Sequence, residues 1–229
     1  YSVTLSQICL QVILQVCIPF DKGCSMGSFQ DALRCLPPTK LFVNKKSGAV
    51  ISYRMSDACP EVSSTEKSKP ALVLLHGFNG SSKSWCQQIS YFNENVVIAI
   101  DAPGFGESHV VGDSMAAIAD ETAGLIRDLD LGPVVIIGHS MGGMQAQIIA
   151  SKFPDLCAGL VLSCTHKGHA HPFGTPLDDT VMERIRQRES MDDLTYGRVR
   201  IQKMLARDIA SDIFSFLVSI AGDVRVEGI

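Results

Sequence analysis

The stretch from Pro133 to Gln147, PVVIIGHSMGGMQAQ, constrains this chain more than any other. Val134 to Ile137 is a short β-branched run, the mark of a strand buried on both faces. Gly138-His139-Ser140-Met141-Gly142 follows and fits G-x-S-x-G. Residues 144–150, rich in Ala, Gln and Ile, then read as a helix. A serine projected from a sharp strand-to-helix turn sits in strained backbone, and the residues two places either side must be small. Gly138 and Gly142 hold those places, and Gly143 lets the helix start close to the strand. The helix N-terminus then aims unbonded N–H groups and its positive dipole end at the Ser140 hydroxyl. Negative charge developing there needs little further stabilisation.

The rest of the chain supplies a frame for this turn. Residues 40–44 and 49–54 are strand-like runs joined by a turn containing Gly48, which predicts an edge hairpin. Residues 59–70 are polar and Ser-rich, as in an exposed loop. Strands are expected over 71–75, 95–100 and 159–163, with a helix from Trp85 to Phe92. A second helix runs to about Leu129, with Asp113 or Ser114 as its cap. Strands alternating with helices at this spacing imply an α/β fold, a mostly parallel sheet covered by helices. Beyond Ser163 the pattern changes to three helices, over 178–189, 194–207 and 211–221.

Residues 3–20 are strongly apolar, but Gln7, Gln11 and Gln15 recur on one helical stripe and Pro19 ends the run. A stable membrane span would have to bury those amides, so none is expected. The reading is an amphipathic helix or leader outside the catalytic fold, followed by a linker over 23–38. The formal net charge of −4 and the lack of a basic cluster give no case for nucleic acid. The eight cysteines are scattered with no C-x-x-C pair, which favours thiols over zinc or a disulfide framework and leans toward a soluble, cytoplasmic protein. No cofactor or metal motif is present, and oligomeric state is not legible. His166, His169 and His171 are spaced as in a loop rather than a ligand set.

His76-Gly77-Phe78, Asp101-x-Pro103-Gly104-x-Gly106-x-Ser108 and the Ser140 turn occur in this order, and together they resemble the α/β-hydrolase family. The Ser-Met-Gly-Gly form is similar to its serine esterase, lactonase and perhydrolase branches. The resemblance implies Ser140 as nucleophile and the backbone N–H groups of Phe78 and Met141 as oxyanion donors, each worth about 3–4 kcal/mol. It also implies a small-molecule acyl substrate and a helical cap over 166–229, beyond a core of 39–165 and a leader of 1–38. His76 and His139 are read as packing or orienting residues. Asp101 precedes the nucleophile, whereas the family's order is Ser, then acid, then His, so Asp101 is not read as the triad acid. No strand, Asp-bearing turn or late His follows the cap helices, and the first residue is Tyr1. The expected reading is therefore an inactive, C-terminally truncated piece of a serine hydrolase acting on an ester, thioester or lactone. His166 or a neighbour as substitute base, a non-catalytic binding or scaffold protein, and a carbon–carbon bond hydrolase or perhydrolase are the alternatives.

Overall fold

A computed structural model describes residues 28–56, 69–112, 114–168, 178–205 and 208–229. The described residues form six strands in one sheet: β1 (Thr39–Val43), β2 (Val50–Met55), β3 (Leu72–Leu75), β4 (Val97–Ile100), β5 (Val134–His139) and β6 (Cys157–Ser163). Their spatial order is β1-β2-β4-β3-β5-β6. The β1–β2 hairpin is antiparallel and lies along β4 in the antiparallel sense. From β4 to β6 the sheet is parallel. The expected α/β class, a mostly parallel sheet covered by helices, is the one observed.

The two faces of the sheet follow from the alternation of side chains along each strand. Val73, Leu75, Ile98, Ile100, Val134 and Ile136 point to one face. There they pack under Ala119, Ala123, Leu125 and Ile126 of α3 (Met115–Asp128) and under Ala146 and Ile149 of α4 (Met141–Lys152). Leu72, Leu74, Val97 and Ala99 point to the other face and meet Trp85 and Ile89, with Val135 and Ile137 beside them. Ile89 lies on α2 (Cys86–Tyr91), which continues a 3₁₀ turn over Ser82–Trp85. Each fully buried Ile or Leu contributes about 1.5–3 kcal/mol, so the central strands hold both layers in place. Ser114 caps α3 by accepting the Ala117 N–H.

Part of the segment read as linker is helical. Ser28 and Asp31 form a capping box that starts α1 (Phe29–Arg34). Phe29 packs edge-on against Phe216, and the Gln30 side-chain amide donates to Asp212. Leu36 adds to the Trp85 cluster. Residues 28–38 therefore pack on the rest of the chain. The apolar run over 3–20 and the polar loop over 59–68 lie outside the described residues, as do His169, His171 and Asp113. Among the described residues no helix is long and apolar enough to cross a membrane.

After β6 come α5 (Asp179–Ser190), α6 (Asp193–Met204) and α7 (Ser211–Gly222), matching the three expected helices. Helices α6 and α7 cross at small residues. A Cβ on Gly197 would stand 2.1 Å from the Val218 carbonyl oxygen, and one on Gly222 would stand 2.4 Å from that of Asp193. Tyr196, fully buried, carries α6 onto Ala102 and Phe105 at the end of β4. Strands β1 and β6 are the outer strands among the described residues, and on β6 Leu160, Val161 and Leu162 are 39%, 47% and 44% exposed.

Candidate active site

Four segments converge beyond the carboxyl ends of the parallel strands: 76–79 after β3, 101–108 after β4, Ser140 after β5 and 164–168 after β6. This is where an open parallel sheet places its chemistry. Ser140 has φ 52° and ψ −115°, in the left-handed half of conformational space. Such a conformation costs a non-glycine residue about 1–3 kcal/mol and persists only when its surroundings over-determine it. Here they do. The Ser140 N–H donates to the Ser163 carbonyl at 2.9 Å, and the Ser140 carbonyl accepts from Gly143 N–H at 2.9 Å. The Thr165 hydroxyl donates to the same carbonyl at 2.7 Å.

The flanking glycines are required by backbone contact. A Cβ on Gly138 would lie 2.4 Å from the Gly142 oxygen, and one on Gly142 would lie 2.2 Å from the Leu75 oxygen. A Cβ on Gly143 would strike Thr165 at 2.5 Å. Gly77 matters similarly, because a Cβ there would lie 2.7 Å from Nδ1 of His139 and 3.2 Å from Cβ of Ser140. The His76-Gly77-Phe78 loop therefore rests directly against the Ser140 turn. Met141 is the first residue of α4, so its N–H has no intrahelical acceptor. Among the described residues, neither the Phe78 nor the Met141 N–H has an acceptor.

The buried polar groups nearby hold these loops. His76 lies between the Gly77 carbonyl, 2.8 Å from Nδ1, and the Ala102 N–H, which donates to Nε2 at 3.0 Å. Its Nδ1 therefore carries the proton. Burial pushes the His76 pKa below its ordinary value, against the opposing pull of Asp101 and of the Gly77 bond. Asp101 has both oxygens engaged: Oδ1 accepts Ser82 N–H at 2.6 Å, and Oδ2 accepts the Ser52 hydroxyl at 2.8 Å. Ser108 donates to the Asp101 carbonyl at 2.7 Å and accepts Ser52 N–H at 2.9 Å. Gly106 makes room for this node, since a Cβ there would lie 2.7 Å from Asp101 Oδ2. Asp101 thus ties β2, the 3₁₀ turn and the 101–108 loop together. The sequence singles out Asp101, but not Ser52 and Ser108 as its partners.

Two cavities meet at Ser140, and Phe78, Asn79 and Met204 line both. The narrow one, about 110 Å³, is walled by Phe29, Trp85, Phe216 and Leu217. The larger, about 940 Å³, has Ile118, Met141, Met144 and His166 on its wall. His166 Nδ1 accepts the Gly168 N–H at 2.9 Å. That bond places the proton of a neutral His166 on Nε2, the wrong tautomer for a base presenting Nε2 to a hydroxyl. Among the described residues, none hydrogen-bonds the Ser140 hydroxyl.

The family model for the alpha/beta hydrolase fold matches residues 70–198. The chain is 32% identical over 144 residues to epoxide hydrolase 4 of Mus musculus, covering 59% of this chain and 40% of that protein. It is 30% identical over 153 residues to an sn-1-specific diacylglycerol lipase of the same organism, covering 65% of this chain and 43% of that one. Among solved structures, a thermophilic esterase from Thermogutta terrifontis aligns with a TM-score of 0.57 at 27% identity, over 82% of this chain and 66% of that one. The matches span about 40% of the length of the curated relatives. The strained serine elbow, the sheet order and the family match agree: the chain belongs to the α/β-hydrolase fold family.

Proposed function

We propose that the protein is a serine hydrolase, acting on an ester, thioester or lactone through an acyl-enzyme on Ser140. The observation that carries this reading is the Ser140 backbone, held at φ 52° on the N-terminus of α4 where two cavities meet. Ser140 Oγ attacks the acyl carbon, and the carbonyl oxygen becomes an oxyanion between the Phe78 and Met141 N–H groups. The alcohol or thiol leaves with a proton, and water then releases the acid. The small-molecule substrate lies under α5, α6 and α7, which act as a cap over 166–229. Residues 39–165 supply the core.

The epoxide hydrolase relative raises a different chemistry, and the serine decides against it here. A carboxylate that opens an epoxide forms an ester, which water cleaves. A serine hydroxyl would form an ether, which water does not cleave, and the cycle would stop. The lipase and esterase relatives break acyl bonds by their names, and Ser140 suits that chemistry.

A fluorophosphonate probe followed by peptide mapping tests the proposal. The adduct should map to Ser140, and Ser140→Ala should abolish both labelling and ester turnover. An adduct elsewhere, or turnover surviving that change, refutes the assignment. A second reading is a binding or scaffold protein that keeps the cavities without turnover, and the two cavities lined by Phe78, Asn79 and Met204 would serve it equally. A chain that binds ligands yet neither labels nor turns over esters supports that second reading.

A further inference from the structure

The wall of the larger cavity beside Ser140 is unusual in its charge. Arg184 on α5 and Arg200 and Lys203 on α6 all line it, with Glu227 and the terminal residue Ile229 as the carboxylate-bearing residues of that wall. None of the three cations forms an ion pair among the described residues. Glu183 is within electrostatic reach of Lys203, but Arg186 already pairs with it at 3.0 Å. Both guanidinium groups are anchored to the loop that bears the Phe78 N–H. Arg184 lies over the Phe78 ring, 5.2 Å from its centre. Arg200 Nε donates to Asn79 Oδ1 at 3.4 Å, and Asn79 in turn donates to Met204 Sδ at 2.9 Å. Arg184 Nε is buried and, among the described residues, has no acceptor.

The arrangement sets like charges beside each other at a partly buried wall. Arg184 and Arg200 are close enough for their like charges to act on each other, and burial, the larger effect, already disfavours the charged Arg200. A guanidinium pair with an unused buried donor matches the fork geometry of carboxylates and phosphates. The narrow cavity, by contrast, presents Phe29, Trp85, Phe216 and Leu217.

We propose that the larger cavity binds an oxyanionic group on the alcohol side of the scissile ester, while an apolar acyl group enters the narrow cavity. Arg184 and Arg200 hold the oxyanion, and Lys203 adds charge at its edge. The substrate class is thus an ester of an apolar acid with an alcohol that bears a carboxylate or phosphate. The inference rests on the Ser140 reading for the direction in which the ester lies.

Calorimetry on the full 229-residue chain tests the anion site without requiring turnover. The probes are 4-butanamidobenzoate, 4-butanamidophenyl phosphate and the neutral methyl ester of the first, all amides that mimic the ester. At least one anionic probe should bind about tenfold or more tighter than the neutral one, and the stronger arm identifies the preferred anion. That ratio should fall when KCl is raised from about 20 to about 500 mM. It should collapse in Arg184→Gln and Arg200→Gln and persist in part in Arg200→Lys. A wild-type ratio near one, or a ratio unmoved by salt and by both Gln variants, overturns the proposal. Selective binding in this chain, with Ser140 left unlabelled by a fluorophosphonate in the complete protein, would keep the anion site and remove the hydrolase reading. Turnover with equal affinities would do the reverse.

Discussion

Replacing Gly142 by Ala adds one methyl group, and the structure fixes where it must go. The new Cβ would stand 2.2 Å from the Leu75 carbonyl oxygen and 2.7 Å from that of His76. The first distance is about 0.8 Å inside the 3.0 Å that real Cβ atoms keep. These are backbone atoms of β3 and the loop after it, and β3 is hydrogen-bonded on both sides, to β4 and β5. They cannot rotate away, so the cost lies near the upper end of overpacking, about 3 kcal/mol. Alanine is favoured over glycine inside a helix by about 1 kcal/mol, which offsets part of it. The net loss is about 2 kcal/mol, or a Tm decrease of about 4–8 °C for a chain of this size. Gly124, inside α3, is the control: its nearest neighbour is the Asn44 amide nitrogen at 3.1 Å, a side-chain atom that can yield. Gly124→Ala should therefore leave Tm unchanged or raise it. Thermal unfolding followed by circular dichroism measures both. If Gly142→Ala melts no lower than Gly124→Ala, the close approach of α4 to β3 is wrong.

Two further outcomes are expected. Asp101→Asn keeps one acceptor but sets an N–H₂ against the Ser52 hydroxyl, which already accepts Glu107 N–H; it should cost about 3 kcal/mol in urea unfolding, and a loss under about 1 kcal/mol would disprove the node. His76 is held neutral by burial, with its pKa below the ordinary 6.5, so the unfolded chain takes up its proton first as pH falls. Stability from His76 is full above about 6.5 and declines below it, before the exposed Glu94 and Glu183, whose ordinary value is 4.5, begin to matter. Tm should accordingly fall between pH 7 and pH 5.5, and His76→Gln should flatten that slope; an unchanged slope in the variant would contradict the assignment.

The elements legible in the sequence were those whose signal is local. The strand before Ser140 and the glycines around it carry their own steric reason, so the elbow could be placed without coordinates. Helix α4 begins at Met141, three residues before the expected start, because propensity hides a first turn in which Gly142 and Gly143, poor helix formers, are present for contact with β3 and Thr165. Helix α1 reads as linker in the sequence because the Gly23–Ser28 run precedes it and the Pro37-Pro38 pair follows it. The signal that could have found it is Ser28 followed three residues on by Asp31. The Ser52–Asp101–Ser108 node joins residues about 50 positions apart, and nothing in either segment names the other. The meeting of Arg184 with Arg200 depends on how α5 and α6 are turned toward each other, which helical periodicity alone does not fix.

Strand β6 carries a consequence for how these chains behave in company. Among the described residues, Leu160, Val161 and Leu162 stand partly bare along an outer strand, with no lysine or proline between Cys157 and Ser163 to deter a newcomer. Backbone groups on that margin can recruit another extended segment, and both faces of β6 reward the recruit with apolar cover. Concentration then becomes a structural variable. Dilute chains would remain separate, whereas crowded ones would add strand to strand, so apparent stability would depend on the amount of protein in the tube. A charged residue at Val161 would work as a deterrent, interrupting the apolar run at its most exposed point.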